Sequence, residues 1–458
     1  APRATRALPR ATAATTRAIP ARARAAETAV RAAPDVDTPR AAPDIEDAKL
    51  PDGAAVRDAL LTWWDRGHRA MPWRKEAADF AEAGTDRKKW AYGVWVSEVM
   101  LQQTQVSRVE AYWKRWMAAW PTVEALATAD DADVKALWSG LGYYRRCAYL
   151  LEGAKQLAAP GAAWPETRAA WLKVKGVGPY TAAAVASIVY GEKTPVVDGN
   201  VIRVLSRVAA CGAKPADKVW WRLAGQVVDE ACDRPGAANQ AMMELGATVC
   251  SKAKPACGGC PLRDLCAANA LGTADKFPVV PPKAKAVRVA VALAVVENGG
   301  AVALVAPGAA PSPFNLEGLW ELPGTRLADA DAASDTADAA VDAALRNLAR
   351  GAAPPRVVRR EALAKPLSHS ITSTRYVVHV RRVSVADPAG LAVEWVPVAA
   401  LSTKGTSSVV GKAVTAALAP PKPAKKPAKK RKRAAAAPAS AAAVPAPALA
   451  MAIAPAPP

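Results

Sequence analysis

Apolar residues recur with the spacing of an α-helix in several stretches of the first 250 residues. Tyr92–Trp116 keeps this period throughout and is predicted to form one long helix. A turn at Met71–Arg74 and a polar inserted loop at 76–89 precede it. The other predicted helical segments are Val56–Trp64, Thr181–Ile188, Val201–Val208, Lys218–Ala231 and Asn239–Ala247.

The pattern changes after residue 286. Val287–Val296 and Ala301–Val305 flank Glu297-Asn298-Gly299-Gly300, which predicts a β-hairpin. A helical period follows over Ser334–Ala349, and Arg375–Val385 is predicted to be another strand. The fold class expected is therefore multidomain. Its parts are an extension at 1–54, an all-α region at 55–274, a Pro/Lys linker at 275–286, an α+β region at 287–417 and a tail at 418–458.

The net charge of +20 comes mostly from the two ends. Residues 1–26 carry six Arg and residues 421–433 carry eight Lys or Arg, without an acid in either run. Without these fourteen, the 61 basic residues fall to 47 against 41 acidic ones, so the remainder is only mildly basic. No apolar run approaches the roughly 20 residues of a membrane span, so no membrane partner is expected.

The two ends also bear on localisation. The Arg-rich start of residues 1–54 is typical of an organellar transit peptide, and equally of an unfolded extension rich in Ala and Arg. The basic run and the Ala/Pro-rich end after it are not expected to fold. The basic run is either a nuclear address, which favours the nucleus, or an unspecific DNA-binding tail. The alternatives are mitochondrion or plastid, or a cytoplasmic nucleoid if the protein is bacterial.

Gly176 and Gly178, followed by Pro179, predict a tight turn into a helix. Such a turn exposes backbone N–H groups that suit one phosphate, although a plain helix–helix connection has the same pattern. Asp198 lies at the mouth of the helix predicted at Val201–Val208. It is either an N-cap or an ionised carboxylate facing a cation, and both roles can hold together.

Glu98 lies inside the apolar run Trp95–Leu101. Desolvation among apolar neighbours favours the protonated carboxyl, which is the form that a general acid needs near neutral pH. The alternative is an acid that points to water from one edge of the helix.

Four of the seven cysteines follow the spacing C-x6-C-x2-C-x5-C. Closely spaced thiolates indicate a metal centre more than disulfides, and zinc usually takes two short C-x2-C pairs where this sequence has one. The four are Cys250, Cys257, Cys260 and Cys266, whereas Cys147, Cys211 and Cys232 are predicted to be buried thiols.

Three motifs and the cysteine spacing carry a family resemblance. The motifs are GVGPYTAAA at 176–184, VDGNVIRVLSR at 197–207 and SEVMLQQTQV at 97–106. Over about residues 55 to 415 the chain resembles the helix-hairpin-helix DNA glycosylases, and within them the adenine DNA glycosylases of the MutY type.

The resemblance implies roles around the SEVMLQQTQV motif. Glu98 would protonate the adenine ring and so make it a leaving group. Gln103 would push into the duplex where the base has left. Trp73 and Leu101 would line the base pocket, with Arg74 close by, because aromatic and aliphatic walls suit a purine pulled out of its stack.

At the hairpin, the resemblance implies a glycosylase without a lyase step. In the endonuclease III branch a lysine follows the hairpin and attacks the sugar as an amine, whereas this chain has Tyr180, and Lys175 lies before the turn. Asp198 would stabilise the sugar cation or bond to it transiently. Tyr180 and Asn200 would form hydrogen bonds around that centre.

The family motifs also cover contacts to DNA. In LWSGLGYYRR the resemblance gives Tyr143 as a wedge beside the oxidised base, and Tyr144 is interpreted as packing. In NQAMMELGA it gives Glu244 as a contact to the target base, with a paired helix acid as the alternative. The four cysteines would hold a [4Fe–4S] cluster in the loop 250–266. This loop would order Lys252, Lys254 and Arg263 near the DNA backbone.

The region after the linker resembles a Nudix-type domain through its alternating elements and the segment GLWELPG at 318–324. The next helix lacks the glutamates that hold metal in Nudix hydrolases, which leaves a recognition module. In MutY-type enzymes an F-S-H loop contacts 8-oxoguanine. This chain has Leu367-Ser368-His369, so Ser368 and His369 are candidates for polar contacts and the aromatic contact is in doubt.

The function predicted is hydrolysis of the N-glycosidic bond of adenine opposite 8-oxoguanine or guanine in double-stranded DNA, by a monomer. Repair or replication proteins are possible further partners. One alternative is an endonuclease III-like glycosylase and lyase for oxidised pyrimidines. The other is a DNA-binding scaffold without catalysis.

Overall fold

The computed structural model describes residues 48–74, 86–280, 286–316, 318–329, 334–351 and 355–420. The chain divides into two compact units. The helical unit comprises the described residues up to Ala129 and those from Ala148 to 280, and the α+β unit comprises Asp130–Cys147 and those from 286 onward. The basic run at 421–433 and most of the N-terminal extension lie outside the described residues.

Helices account for most of the described residues before residue 272. They are α1 Gly53–Arg66, α2 Arg87–Leu101, α3 Val106–Ala119, α4 Val123–Ala127, α5 Asp131–Trp138, α6 Tyr144–Leu157, α7 Arg168–Trp171, α8 Pro179–Tyr190, α9 Gly199–Val208, α10 Val219–Val227, α11 Pro235–Thr248 and α12 Ala267–Ala270. No helix in the described ranges is both long and apolar enough to cross a membrane.

The prediction of one long helix over Tyr92–Trp116 is wrong. Helix α2 ends at Leu101 and α3 begins at Val106. Between them Gln103 has φ 59°, a left-handed conformation that a continuous α-helix cannot contain. The apolar period continues on both sides of this break, which is why periodicity alone did not detect it.

The core of the helical unit gathers α1, α9, α10 and α11 around Leu60, Leu205 and Trp220. Ala48 and Leu50 are buried in the same core, so the packed structure begins before the boundary predicted at residue 55. Helix α11 approaches its neighbours very closely at two glycines. A Cβ on Gly236 would lie 2.6 Å from the Ser187 carbonyl oxygen, and one on Gly246 would lie 2.6 Å from the Asn200 Cβ.

Seven strands among the described residues form one sheet in the α+β unit. The strands are β1 Val287–Asn298, β2 Ala301–Leu304, β3 Gly324–Arg326, β4 Val357–Ala362, β5 Leu367–Ile371, β6 Thr374–Val385 and β7 Glu394–Pro397. Their order along the sheet is β4-β6-β1-β2-β7, with β3 paired to β1 and β5 paired to β6. Among these pairs only β1 and β6 are parallel.

The sheet is covered on both faces. Helix α13 (Ser334–Asn347) packs on one face through Val341, and α14 (Ser408–Leu418) packs on the other through Val410. The predicted hairpin after residue 286 is confirmed, since Asn298 pairs with Ala301. Leu367–His369, expected as a loop, instead forms strand β5, because the Val-rich strand β6 offers it a full antiparallel partner.

Residues 130–147 lie inside the region predicted as all-α, 55–274, yet they group with the α+β unit. Their contacts explain this difference. The Ser139 Oγ and the Tyr144 hydroxyl both donate hydrogen bonds to the Thr406 carbonyl oxygen, at 3.1 and 2.6 Å. Hydrogen bonds between residues more than 260 positions apart leave no trace in local periodicity.

Candidate active site

A cavity of about 770 Å³ opens in the helical unit. Its wall is formed by the break between α2 and α3, by the starts of α8 and α9, and by one face of α11. The residues predicted from the sequence that line it are Trp73, Arg74, Glu98, Leu101, Gln103, Tyr180, Asp198, Asn200 and Glu244. Stretches more than 140 residues apart in sequence therefore meet at one site.

Glu98 is buried on α2, with 5% of its surface exposed. Its Oε2 accepts a hydrogen bond from the Tyr180 hydroxyl at 2.5 Å. Burial raises the pKa of Glu98 from 4.5 to about 7, with a smaller contribution from the charge of Asp198, and the Tyr180 hydrogen bond and the charge of Arg74 oppose the rise. The expectation of a desolvated carboxyl is confirmed, and the alternative of an acid pointing to water is not.

Asp198 is the N-cap of α9. Its Oδ1 accepts from the backbone N–H groups of Asn200 and Val201 at 2.9 and 2.8 Å, and its Oδ2 accepts from the Asn200 side-chain amide at 2.8 Å. Burial raises the pKa of Asp198, while these hydrogen bonds and the charge of Arg203 act in the opposite direction. The predicted N-cap role is confirmed. The capping aspartate also lines the cavity, and its second predicted role, as an ionised carboxylate facing a cation, stays a prediction.

Tyr180 is fixed by the turn before α8. Pro179 begins the helix, and Gly178 is its N-cap. Burial raises the pKa of the Tyr180 hydroxyl well above 10, so this hydroxyl stays protonated and donates to Glu98. None of the described residues lining the cavity is a lysine. Lys175 instead lies near Glu152, with 3.9 Å between its Nζ and a carboxylate oxygen.

The hairpin glycines lie behind the cavity and do not line it. Gly176 has φ 78°, and a Cβ there would lie 2.4 Å from the Tyr149 Cβ, so this position requires glycine. A Cβ on Gly178 would meet open space, and its carbonyl begins the first turn of α8 through a 3.0 Å bond from Ala182. This open helix start is the candidate for a backbone phosphate contact.

Glu244 is almost fully buried on α11 and is held by two arginines. Arg69 donates to both carboxylate oxygens, at 2.5 and 2.8 Å, and Arg74 donates to Oε2 at 2.7 Å. Burial alone would raise the pKa of Glu244, but the hydrogen bonds and charges of the two arginines outweigh it and lower the pKa. The paired-acid alternative is therefore present, within the cavity wall itself.

Arg69 was missed by the sequence analysis. It lies five positions before Arg74. A carboxylate buried on α11, such as that of Glu244, needs positive charge beside it, and here Arg69 and Arg74 supply that charge together. The stack of the His68 ring on the Trp64 ring, with centroids 3.7 Å apart, fixes the turn beside it. The Arg74 guanidinium lies 4.9 Å from the same Trp64 ring.

The break between α2 and α3 presents polar side chains to the cavity. Gln103 lies there in its left-handed conformation, and the neighbouring Gln102 amide donates to the Thr181 hydroxyl at 3.4 Å. On the opposite side Trp73 is buried and packs against Trp113, with ring centroids 5.8 Å apart. The cavity therefore has one aromatic wall and one amide-bearing edge.

The four spaced cysteines line a second, smaller cavity in the helical unit. The guanidinium Nη1 of Arg207, a fully buried residue of α9, lies 3.2 Å from the Cys250 Sγ and 2.8 Å from the Ser251 carbonyl oxygen. Among the residues with described positions, no three His, Cys, Asp or Glu side chains are grouped as for a single metal ion. The remaining cysteines, 147, 211 and 232, are buried as predicted.

Three predicted residues lie in the α+β unit. Tyr143 has φ 50° and is 49% exposed, with the Arg146 guanidinium 5.3 Å from its ring. Ser368 and His369 point to opposite faces of β5, since alternate residues of a strand do so. Ser368 is exposed and accepts a hydrogen bond from Arg375 at 3.3 Å, whereas the His369 ring meets the buried Phe314 edge-on at 6.4 Å.

Residues 96–227 match the family described as the HhH-GPD superfamily of base excision DNA repair proteins. The helices of this region are followed in the chain by an α+β region. The resemblance to adenine DNA glycosylases of the MutY type is confirmed by several curated relatives.

The similarity extends across distant organisms. The adenine DNA glycosylase of Arabidopsis thaliana is 40% identical over 317 residues, which are 61% of this chain and 49% of that protein. That of Rattus norvegicus is 50% identical over 226 residues, 48% of this chain and 43% of that protein. That of Mycolicibacterium smegmatis is 40% identical over 205 residues, 44% of this chain and 66% of that protein. The chain thus spans about half the length of the first two relatives.

Proposed function

We propose that this protein is a base-excision DNA glycosylase that hydrolyses the N-glycosidic bond of adenine paired with 8-oxoguanine or guanine. The observation that carries the proposal is the meeting of Glu98 and Asp198 at one cavity. Relatives at 40 to 50% identity are named adenine DNA glycosylases, which supports the same activity here.

The proposed reaction uses the two acids in sequence. Glu98, whose pKa of about 7 leaves it substantially protonated near neutral pH, donates its proton to the ring of the extruded adenine. The bond from the base to C1′ then breaks, and its electron pair leaves with adenine. The Asp198 carboxylate faces the resulting sugar cation. Water adds to C1′, and the proton that it releases restores Glu98.

Tyr180 and Asn200 act by holding these acids in place. The Tyr180 hydroxyl fixes one carboxyl oxygen of Glu98, and the Asn200 amide fixes the Asp198 oxygen that the backbone N–H groups leave available. Since orientation of reacting groups contributes several kcal/mol to catalysis, both contacts are proposed to be part of the machinery.

The wall of the cavity suits a flipped purine. Trp73 and Leu101 supply apolar surface on which a base can stack. The Glu244 carboxylate, fixed by Arg69 and Arg74, supplies an acceptor for the exocyclic amine of adenine. Gln103, which lines the cavity at the break after α2, is proposed to occupy the space that the base leaves in the duplex. No lysine of the described lining is available as an amine nucleophile, so we propose a monofunctional enzyme.

We further propose that Cys250, Cys257, Cys260 and Cys266 hold a [4Fe–4S] cluster. They fit this group because all four line one cavity and Arg207 directs a guanidinium toward the Cys250 sulfur. The four cysteines would supply four thiolates, the donor set that a [4Fe–4S] cluster takes. When bound, the group would be a redox-capable structural centre; here it would order the loop that carries Lys252 and Lys254.

The α+β region is proposed to be a Nudix-like module that recognises the oxidised base opposite adenine. Tyr143 would wedge beside that base. Ser368 and Arg375 form a polar pair on the exposed face of β5 and β6, which suits hydrogen bonds to 8-oxoguanine or to its phosphate. His369 faces Phe314 instead, so its contribution would come through packing of β5.

The proposal is tested with a duplex containing A·8-oxoguanine. We expect the wild-type protein to release adenine, and Glu98→Gln and Asp198→Asn to release it far more slowly. A covalent adduct trapped by borohydride would favour the endonuclease III-like glycosylase and lyase. Specific binding without base release by the wild type would favour the non-catalytic scaffold.

A further inference from the structure

The turn that carries Tyr143 is anchored at both of its ends to one atom. Ser139 precedes the turn and Tyr144 follows it, and their hydroxyls donate to the same Thr406 carbonyl oxygen at 3.1 and 2.6 Å. A carbonyl oxygen has two lone pairs and can accept both bonds. The Tyr144 hydroxyl, interpreted from the sequence as packing, thus has a definite polar partner.

The backbone between these anchors has positive φ at three positions, and only at Tyr143 is this conformation costly. Gly140 and Gly142 have φ 98° and 73°, and Tyr143 itself has φ 50°. A left-handed conformation is unfavourable for a bulky residue and persists only where the surroundings impose it. The two bonds to Thr406 are such surroundings, because they fix both ends of the short segment that contains Tyr143.

The acceptor is rigidly placed as well. Thr406 is 7% exposed, and the Gly405 carbonyl before it accepts from the Trp320 N–H at 3.0 Å. Helix α5 packs tightly against the same loop, since a Cβ on Gly405 would lie 3.0 Å from the Lys135 Cβ. The position of Tyr143 is therefore defined by the loop around Thr406, in the part of the chain proposed to read the oxidised base.

We propose that Tyr144 is a positioning residue that sets where Tyr143 enters the duplex, and so sets the preference for 8-oxoguanine over guanine opposite adenine. This inference rests on the proposed function. Without the Tyr144 hydroxyl, only Ser139 still ties the turn to the Thr406 carbonyl. The remaining bonds, from Trp138 and Arg146 to the Gly142 carbonyl, lie within the turn itself and leave Tyr143 free to move relative to Thr406. The aromatic ring of Tyr144 would still pack as before.

The test compares Tyr144→Phe with Tyr92→Phe in the full chain. Tyr92 makes the same kind of bond, from its hydroxyl to the Trp120 carbonyl oxygen at 3.0 Å, but lies in the core of the helical unit. Single-turnover rates are measured on A·8-oxoguanine and A·G duplexes. We expect Tyr144→Phe to lower the ratio of the two rates by roughly fivefold, the loss of one neutral hydrogen bond, and Tyr92→Phe to leave it unchanged.

A second variant separates positioning from general destabilisation. If Tyr144 acts through Tyr143, then Tyr144→Phe has no further effect on the rate ratio once Tyr143→Ala is present. Ser139→Ala should act in the same direction as Tyr144→Phe. The proposal would be overturned if Tyr144→Phe lowered the single-turnover rates on both duplexes equally. It would also be overturned if the effects of Tyr143→Ala and Tyr144→Phe on the rate ratio multiplied in the double variant.

A readout without catalysis keeps the two proposals apart. In the free protein, Tyr144→Phe should accelerate amide hydrogen exchange at residues 140–146, and Tyr92→Phe should not. If the wild type releases no adenine, the proposed function fails; the exchange rates and the relative affinity for 8-oxoguanine and undamaged duplexes then decide the role of Tyr144. Unchanged exchange in Tyr144→Phe would exclude the anchor.

Discussion

Each unit of the protein contains a buried glutamate whose pKa is raised to about 7, and burial is the main cause in both. Glu98, in the helical unit, lines a cavity together with Asp198 and receives a hydrogen bond from Tyr180. Glu321, in the α+β unit, accepts a hydrogen bond from the Ser312 hydroxyl at 3.0 Å. The same Ser312 oxygen accepts the Leu316 N–H at 2.9 Å, so Glu321 closes a loop.

The comparison of Glu98 with Glu321 shows that burial alone is enough to raise the pKa of a glutamate. Catalysis needs in addition a reacting group within hydrogen-bond distance. Glu98 borders a cavity of about 770 Å³, and a second acidic residue, Asp198, lines the same cavity. Glu321 exchanges two backbone hydrogen bonds with Val305 and serves the packing of the sheet edge. Four predictions follow this contrast.

The largest effect is expected for Glu98→Gln. The amide cannot donate an acidic proton, so the single-turnover rate of adenine release should fall by about 100-fold or more. Glu321→Gln is the matched control, since it makes the same change at the other buried glutamate, and its rate should equal that of the wild type. A comparable loss in both variants would mean that burial, rather than position, determines the effect.

Asp198→Asn should also lower the single-turnover rate of adenine release, by about 100-fold, because a neutral amide does not stabilise the sugar cation. Asparagine caps helices about as well as aspartate, so α9 and the melting temperature should change little. Asp198→Ala serves as the comparison, because it removes the cap too and should lower the melting temperature. Activity retained in Asp198→Asn would reduce Asp198 to a capping residue.

The pH profile should sharpen the contrast further. Because Glu98 must be protonated to act, the rate should decline as pH rises through about 7. The Tyr180 hydrogen bond lowers the pKa of Glu98, so Tyr180→Phe should move this decline to higher pH, while Glu321→Gln leaves it in place. The measurement is the single-turnover rate between pH 5 and 9. A shift to lower pH in Tyr180→Phe would contradict the assignment of the proton to Glu98.

The smallest effect is on stability. Below its usual pKa of 4.5 Glu321 is protonated in the folded and unfolded states, and the stability that it contributes there is lost as pH rises through about 7. Glu321→Gln removes this loss. Above pH 7 we therefore expect the free energy of unfolding of the variant to exceed that of the wild type by roughly 1–3 kcal/mol. Urea unfolding of the variant and the wild type at pH 4.5 and 8 measures this difference. An equal difference at the two pH values would contradict its assignment to Glu321.

The parts of the site that local sequence determines were predicted correctly. Glu98 has apolar neighbours along its own helix, and Asp198 stands directly before the helix that it caps, so both environments could be inferred from adjacent residues. The Val-rich hairpin of β1 and β2 was found for the same reason.

What the sequence did not reveal depends on distant contacts. Arg69 meets Glu244 across 175 positions, and Tyr144 meets Thr406 across 262. Strand β5 exists because β6 pairs with it, although LSHSI alone has the composition of a loop. The break after Leu101 is a further case, because the apolar period continues past it and its Gln102 side chain contacts Thr181, 79 positions away.

Helix α11 packs closely against its neighbours at two glycines, Gly236 and Gly246, which have no Cβ. Gly236 meets α8 and Gly246 meets the start of α9 at distances that no side chain tolerates, and Glu244 stands between these two points of contact. A larger residue at either glycine would push α11 away from its neighbours and so change the cavity that is proposed to hold the extruded base. The shape of this cavity thus depends on two positions that do not line it and at which even alanine would not fit.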